Sequence, residues 1–227
     1  MMMPSGYGYG FWFAVVINVM VILFFALGFL APKGKWEWRS LGVFMGFLVA
    51  LFSEMYGFPL TIYILTSILG SRYPVLNPFS HTNGQLLFVF LGGGAIAFGL
   101  IHLVSILLMI VGVIIMGIGW KKIHTASGNL VTDGIYGRVR HPQYSGLFLV
   151  SIGLMIQWPT LVTLLLWPVM LIVYYRLALR EERKMVVLFG ERYLEYKKSV
   201  PAFFPGFGFR RRGERMMSHP SQLRDKA

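Results

Sequence analysis

"YSGLFLVSIGLMIQWPTLVTLLLWPVMLIVYYRLAL", residues 144–179, carries a single charged side chain, Arg176. A hydrocarbon core about 30 Å thick takes roughly 20 apolar residues per helix, so this stretch is too long for one crossing. "QWP" at 157–159 supplies a natural turn between two shorter helices, because the residue before a proline is biased away from the helical region. The stretch therefore predicts a membrane helical hairpin. The rest of the chain agrees: of 227 residues, 56% are hydrophobic and 16% aromatic, and only 13% are charged. That balance lies outside the range of soluble domains and predicts an all-α fold, a polytopic membrane helix bundle.

Working outward, "FWFAVVINVMVILFFALGFLA" at 11–31 reads as a first span. It has neither a basic n-region nor a short apolar h-region, so it is expected to be retained rather than cleaved. Residues 40–69 form a second, overlong run containing Glu54 and Pro59, and 86–119 a third, interrupted by Gly92, Gly93 and Gly94, with 98–119 as its crossing part. With the hairpin these make about five transmembrane helices. Charge placement tests the count, because cytoplasmic loops collect lysine and arginine. With five spans and an outside N-terminus, twenty of the 21 basic residues fall on one side, all but Arg72. Loop 120–143 and the C-terminal segment then share the cytoplasmic face.

Three regions follow: a three-span part at 1–119, a second part at 120–205 containing the hairpin, and a basic tail at 206–227 expected to be disordered and to touch anionic lipid. Between them, 180–200 alternates charged and apolar residues and predicts a cytoplasmic, interfacial helical segment broken near Gly190. The net charge of +12 does not predict nucleic-acid binding, since the cations are not interleaved with stacking aromatics on a soluble face. The chain has no cysteine and its five histidines are scattered, so no metal site is expected.

Ionisable side chains inside a span are functional candidates by default. Glu54 is one, with a buried structural carboxylate as the alternative; His102 is another, and interhelical hydrogen bonding suits it better. The glycine clusters match neither GxGxxG nor GxxxxGK spacing. A different kind of cluster is "SGNLVTDGIYGRVRHPQYSG" at 127–146, where turn-forming residues lead to Tyr136, Arg140 and His141, and Pro142 stands at the first position of a helix. Backbone N–H groups at a helix start suit an anionic or polar ligand. On chemistry alone, a basic loop touching lipid phosphates remains an equal reading.

Two blocks taken together resemble the C-terminal half of the isoprenylcysteine carboxyl methyltransferase family and its phospholipid methyltransferase relatives. The first is G-x-Y-x-x-x-R-H-P-x-Y-x-G, here Gly134, Tyr136, Arg140, His141, Pro142, Tyr144 and Gly146. The second is E-E followed by F-G-x-x-Y-x-x-Y-x-x-x-V-P, here Glu181, Glu182, Phe189, Gly190, Tyr193, Tyr196, Val200 and Pro201. The resemblance covers about residues 120–205. It implies an integral membrane methyltransferase that uses S-adenosylmethionine without a Rossmann domain and acts on a lipophilic acceptor, a prenylcysteine-type carboxylate first. Carried over by position, cofactor contacts fall on Gly128, Asn129, Leu130, Val131, Tyr136, Arg140, His141, Pro142, Gln143, Tyr144 and Glu181, on the cytoplasmic side. A lysine or glutamine of the family corresponds to Lys121. The family's substrate-facing arginine corresponds to Leu177, a departure, and Arg176 and Arg180 flank it on one helix face.

Methyl transfer from a sulfonium is an in-line displacement that rests on alignment and exclusion of water. A carboxylate acceptor needs only a cationic clamp, for which Arg176 and Arg180 are the candidates. An amine acceptor, as in a phospholipid, must lose a proton, and Glu54 and Glu182 are then the candidate bases. Two further readings stand beside these: an NADPH-dependent membrane reductase of similar C-terminal architecture, and a non-catalytic, lipid-binding scaffold.

Overall fold

A computed structural model describes residues 12–29, 35–56, 60–69, 85–92, 94–126 and 128–205. The expected all-α membrane bundle is what these residues form. Eight α-helices occur among them: α1 (Trp12–Phe29), α2 (Lys35–Tyr56), α3 (Leu60–Leu69), α4 (Leu86–Phe90), α5 (Ala95–Thr125), α6 (Pro142–Gln157), α7 (Leu161–Phe189) and α8 (Glu191–Ser199). A short 3-10 turn, Gly134–Gly137, precedes α6. Three helices, α2, α5 and α7, are long and apolar enough to cross a membrane. The expected five crossings require α1, with 18 residues, and α6, with 16, to join them. The basic tail at 206–227 lies outside the described residues.

The hairpin turns where "QWP" predicts. Thr160 caps α7: its Oγ1 accepts from the Thr163 amide at 3.0 Å, while Thr163 Oγ1 accepts from the Thr160 amide at 3.1 Å, which satisfies two otherwise unpaired donors of the first turn. The two arms are unequal. α7 has 29 residues, about 44 Å at 1.5 Å per residue, and runs unbroken past Arg180 to Phe189. The expected boundary between a span ending near Leu179 and a separate interfacial segment is therefore corrected, and the charged stretch 180–189 is the last part of α7. The break comes at Gly190, whose φ of 55° and ψ of −133° a side chain would strain. The second run likewise divides into α2 and α3, and the third into α4 and α5, with α5 starting at Ala95 and extending to Thr125.

Antiparallel α5 and α6 pack at backbone distance. A Cβ on Gly112 would lie 2.6 Å from the Gly146 carbonyl oxygen, and one on Gly153 2.8 Å from that of Ser105. Small residues at such crossings let helices approach when lipid provides no hydrophobic drive toward association. α2 meets α7 in the main core, where Phe44, Phe47 and Leu48 pack with Met170, Tyr174, Leu177 and Ala178. These contacts hold the end of α5, the start of α6 and the last third of α7 around one space, with α2 beside it.

Candidate functional site

The chain leaving α5 turns at Gly128, whose φ of 87° favours glycine, and descends through the 3-10 turn to Pro142 at the start of α6. Around this corner lies a cavity of about 290 Å³, near the lower limit of small-ligand pockets. All eleven residues expected to contact a cofactor line it: Gly128 through Val131, Tyr136, Arg140 through Tyr144, and Glu181. Residues that sequence reasoning did not place there complete the wall: Ile123 from α5, Met185, Leu188 and Phe189 from α7, and Tyr193 and Tyr196 from α8. The last two were legible as a spacing, since i and i+3 on α8 share a face.

The carboxylates of "REER" diverge as a 100° step along a helix requires. Glu181 is partly exposed and faces the cavity; it accepts from the Tyr144 hydroxyl at 2.5 Å and lies 3.6 Å from His141 Nδ1. Glu182 is 3% exposed and pairs with Arg140 Nη2 at 2.7 Å, Lys197 Nζ at 2.7 Å and His141 Nε2 at 3.2 Å. Arg140 Nη1 donates onward to the carbonyls of Lys197, at 2.8 Å, and Val200, at 2.5 Å. The hydrogen-bonding groups of Arg140 and His141 are thus largely engaged with carboxylates and α8.

Burial disfavours the charged form of His141, but the neighbouring carboxylates of Glu181 and Glu182 outweigh that cost, and its pKa is raised above the ordinary histidine value. Burial likewise raises the phenols of Tyr136 and Tyr196, and pushes Tyr193 up to about 12. These tyrosines remain neutral donors at physiological pH. The Tyr196 hydroxyl donates to the Tyr136 carbonyl at 2.6 Å, fastening α8 to the 3-10 turn.

A second cavity of about 380 Å³ shares Ile123, Gln143, Tyr144, Glu181, Met185 and Leu188 with the first. α2 and α5 add Glu37, Ser40, Trp120 and His124, and α7 adds Tyr174, Leu177 and Lys184. A third, of about 470 Å³, is bordered by Lys35, Arg180, Arg183 and Lys184, together with Glu37, Leu177 and Glu181. Glu181 belongs to all three. Of the two arginines flanking Leu177, Arg180 borders this space, whereas Arg176, one turn earlier on α7, is exposed and lines none of the three. Lys121 is exposed on the last turns of α5 and lines none of the three. Glu54 is also elsewhere: buried at the end of α2, it accepts from the Thr61 amide at 3.0 Å and the Thr61 hydroxyl at 3.1 Å. Glu182 lines none of the three cavities either. Among the described residues no group of His, Asp and Glu has the arrangement of a metal site.

Residues 87–192 match the family described as "Phospholipid methyltransferase". The protein-S-isoprenylcysteine O-methyltransferase of Schizosaccharomyces pombe is 39% identical over 77 residues, 34% of this chain and 33% of that protein. Its counterpart in Xenopus laevis is 40% identical over 87 residues, 35% of this chain and 28% of that protein. The human one is 38% identical over 77 residues, 34% of this chain and 27% of that protein. The matched stretch spans about a third or less of the length of these curated relatives. The family resemblance carried by the "RHPQY" and "REER" blocks therefore holds for this part of the chain.

Proposed function

We propose that this chain, through its phospholipid methyltransferase region, is an integral membrane methyltransferase that uses S-adenosylmethionine to methylate a lipophilic acceptor, with a prenylcysteine-type carboxylate as the favoured substrate. The single observation that carries the reading is the convergence of two distant motif blocks on one cavity, with Glu181 at its junction with a second. The donor set fits the cofactor. Glu181 offers a carboxylate to an ammonium, residues 128–131 offer backbone polar groups, and Tyr136, Tyr144 and Tyr193 offer aromatic faces to adenine or a sulfonium.

S-adenosylmethionine, when bound, supplies a methyl group activated for displacement. The chain's own part is to align, to exclude water and to hold charge. The Tyr144 hydroxyl orients Glu181, and the apolar wall of Ile123, Met185, Leu188 and Phe189 keeps water from the donor. The second cavity receives the acceptor's reactive end from α2, α5 and α7, and Arg180, Lys35 and Lys184 at the adjoining space offer the cationic clamp an acceptor carboxylate needs. Arg180 takes the place the family gives to the residue at 177. Glu54 has a structural part here. The one-sided distribution of lysine and arginine supports placing the donor cavity and α8 on the cytoplasmic side.

One observation favours a second reading. Glu37 and Glu181 both border the second cavity, beside the aromatic faces of Trp120, Tyr144 and Tyr174. Carboxylates with aromatic faces suit an amine and its positive charge. Treating the labelled product with mild base separates the two, because a methyl ester releases its methyl group and an N-methyl product does not.

The reading is tested by equilibrium binding of S-adenosylmethionine to purified protein in nanodiscs. Saturable binding is expected, weakened roughly 10- to 100-fold by Glu181→Gln, as loss of a charged hydrogen-bond partner implies. Saturable NADPH binding with no response to S-adenosylmethionine would replace this reading with the reductase.

A further inference from the structure

The segment after α7 does more than continue the chain. From Gly190 it reverses as α8 and then returns across the start of α6: the Arg140 amide donates to the Pro201 carbonyl and the His141 amide to the Ala202 carbonyl, both at 2.9 Å. Ser145 Oγ donates to the Phe203 carbonyl at 2.5 Å, and the Phe203 ring lies 5.6 Å from the imidazole of His141. This segment forms an outer wall of the first cavity through Tyr193 and Tyr196. Its backbone carbonyls accept from the "RHP" corner and from Ser145 of α6; its charged side-chain anchor is Glu182 of α7.

We propose that Glu182 is a positioning residue for the first cavity: through Arg140, His141 and Lys197 it latches α8 and the residues after it across the opening, and so fixes His141 beside Glu181. The proposal rests on the reading that this cavity holds the methyl donor. Its physical basis is that one buried carboxylate joins three elements. Arg140 belongs to the corner before α6, Lys197 to α8, and Glu182 itself to α7, with His141 spanning the short distance from Glu182 to Glu181. Losing one ionised partner of such a cluster leaves the others desolvated and unpaired, so the elements separate rather than relax in place.

The charged groups facing His141 are Glu181 and Glu182 from α7 and Arg140 beside it, with Lys197 of α8 reaching it only through Glu182; the Tyr144 ring from α6 stacks on it at 5.7 Å. Both carboxylates favour its protonated form. Removing the charge of Glu182 therefore moves the titration of His141 to lower pH, and the latch opens at lower pH with it. A residue that merely stabilised the bundle would weaken binding at every pH alike.

Two measurements on Glu182→Gln test this in nanodiscs. Affinity for S-adenosylmethionine is expected to fall at least about tenfold, with its decline at high pH displaced downward. Hydrogen exchange of amides 191–200, followed without cofactor, is expected to quicken by a similar factor. Native affinity with an unshifted pH profile, or native exchange, overturns the proposal. If Glu182→Gln does not fold, Lys197→Met decides, since it removes only the partly exposed partner: about threefold weaker binding is expected, and native affinity overturns the latch. Should the native protein not bind S-adenosylmethionine while exchange in Glu182→Gln still quickens, the cofactor reading falls and the latch stands.

Discussion

Glu54 and Glu182 are both buried, at 5% and 3% exposure, yet their partners are of opposite kinds. Glu54 is held by the amide and hydroxyl of Thr61, and that hydroxyl in turn accepts from the Leu161 amide at 2.9 Å. Neutral groups thus join the end of α2, the start of α3 and the start of α7. Glu182 is held by arginine, lysine and histidine, and joins α7, the "RHP" corner and α8. The first arrangement suits a fixed joint. The second suits a joint that responds to charge, and it lies directly behind the cavity proposed to hold the methyl donor. Burial of a carboxylate alone therefore does not mark a functional site; the chemistry of its partners does.

The contrast breaks most visibly by truncation. Glu182→Ala is expected to cost about 3–5 kcal/mol in thermal or denaturant unfolding, because Arg140 and Lys197 lose their buried counter-charge, and to abolish cofactor binding. Glu54→Ala should cost about 1–3 kcal/mol for the unpaired groups of Thr61, with affinity for S-adenosylmethionine within twofold of native. Loss of binding in Glu54→Ala would mean that the two ends are coupled, and the distinction would fail. Comparable destabilisation is expected from Gly146→Ala, about 1–3 kcal/mol, since the added methyl meets the Gly112 carbonyl oxygen and Met116 across the α5–α6 crossing.

A smaller effect sharpens the comparison through pH. His141 has a raised pKa in the folded state, so its stabilisation is complete below the unfolded histidine value near 6.5 and is lost as pH rises through the folded value. Melting temperature should fall across that interval in native protein, and the slope should flatten in His141→Asn. An unchanged slope would show that the charged cluster does not titrate there. The smallest effect is expected at the surface pair of Lys122 and Asp133, 2.6 Å apart. Asp133→Asn should leave both melting and binding unaltered, because solvent-exposed ion pairs contribute little.

The eleven positions that the resemblance proposes for a cofactor line one cavity: ten lie within residues 128–144, and Glu181 follows one helical hairpin later. The hairpin itself was legible because "QWP" punctuates an apolar block too long for one crossing. The length of α7 was not. Charges from Arg180 to Lys184 look like the end of a span, but backbone hydrogen bonding does not stop where hydrophobicity does, and the helix continues to Gly190. Glu37, Ser40, Trp120 and His124 were also hidden. They sit on α2 and α5, where nothing in an apolar period shows which face meets another helix; the packing of α2 on α7 brings Glu37 and Ser40 to the cavity that Glu181 lines, and the packing of α5 on α6 brings Trp120 and His124 there. Arg176 and Arg180 could not be separated by their shared spacing; their positions along α7 separate them, since the third cavity lies one turn beyond Arg176.

The central claim is that Glu181 joins a donor cavity to an acceptor cavity. It is tested most directly by incubating the purified protein with methyl-labelled S-adenosylmethionine and a membrane lipid extract, then following the label into the organic phase. Transfer to a lipophilic product, released by mild base and lost in Glu181→Gln, is the predicted result. Undiminished transfer by Glu181→Gln, or none by the native protein across prenylated and phospholipid acceptors, would contradict it.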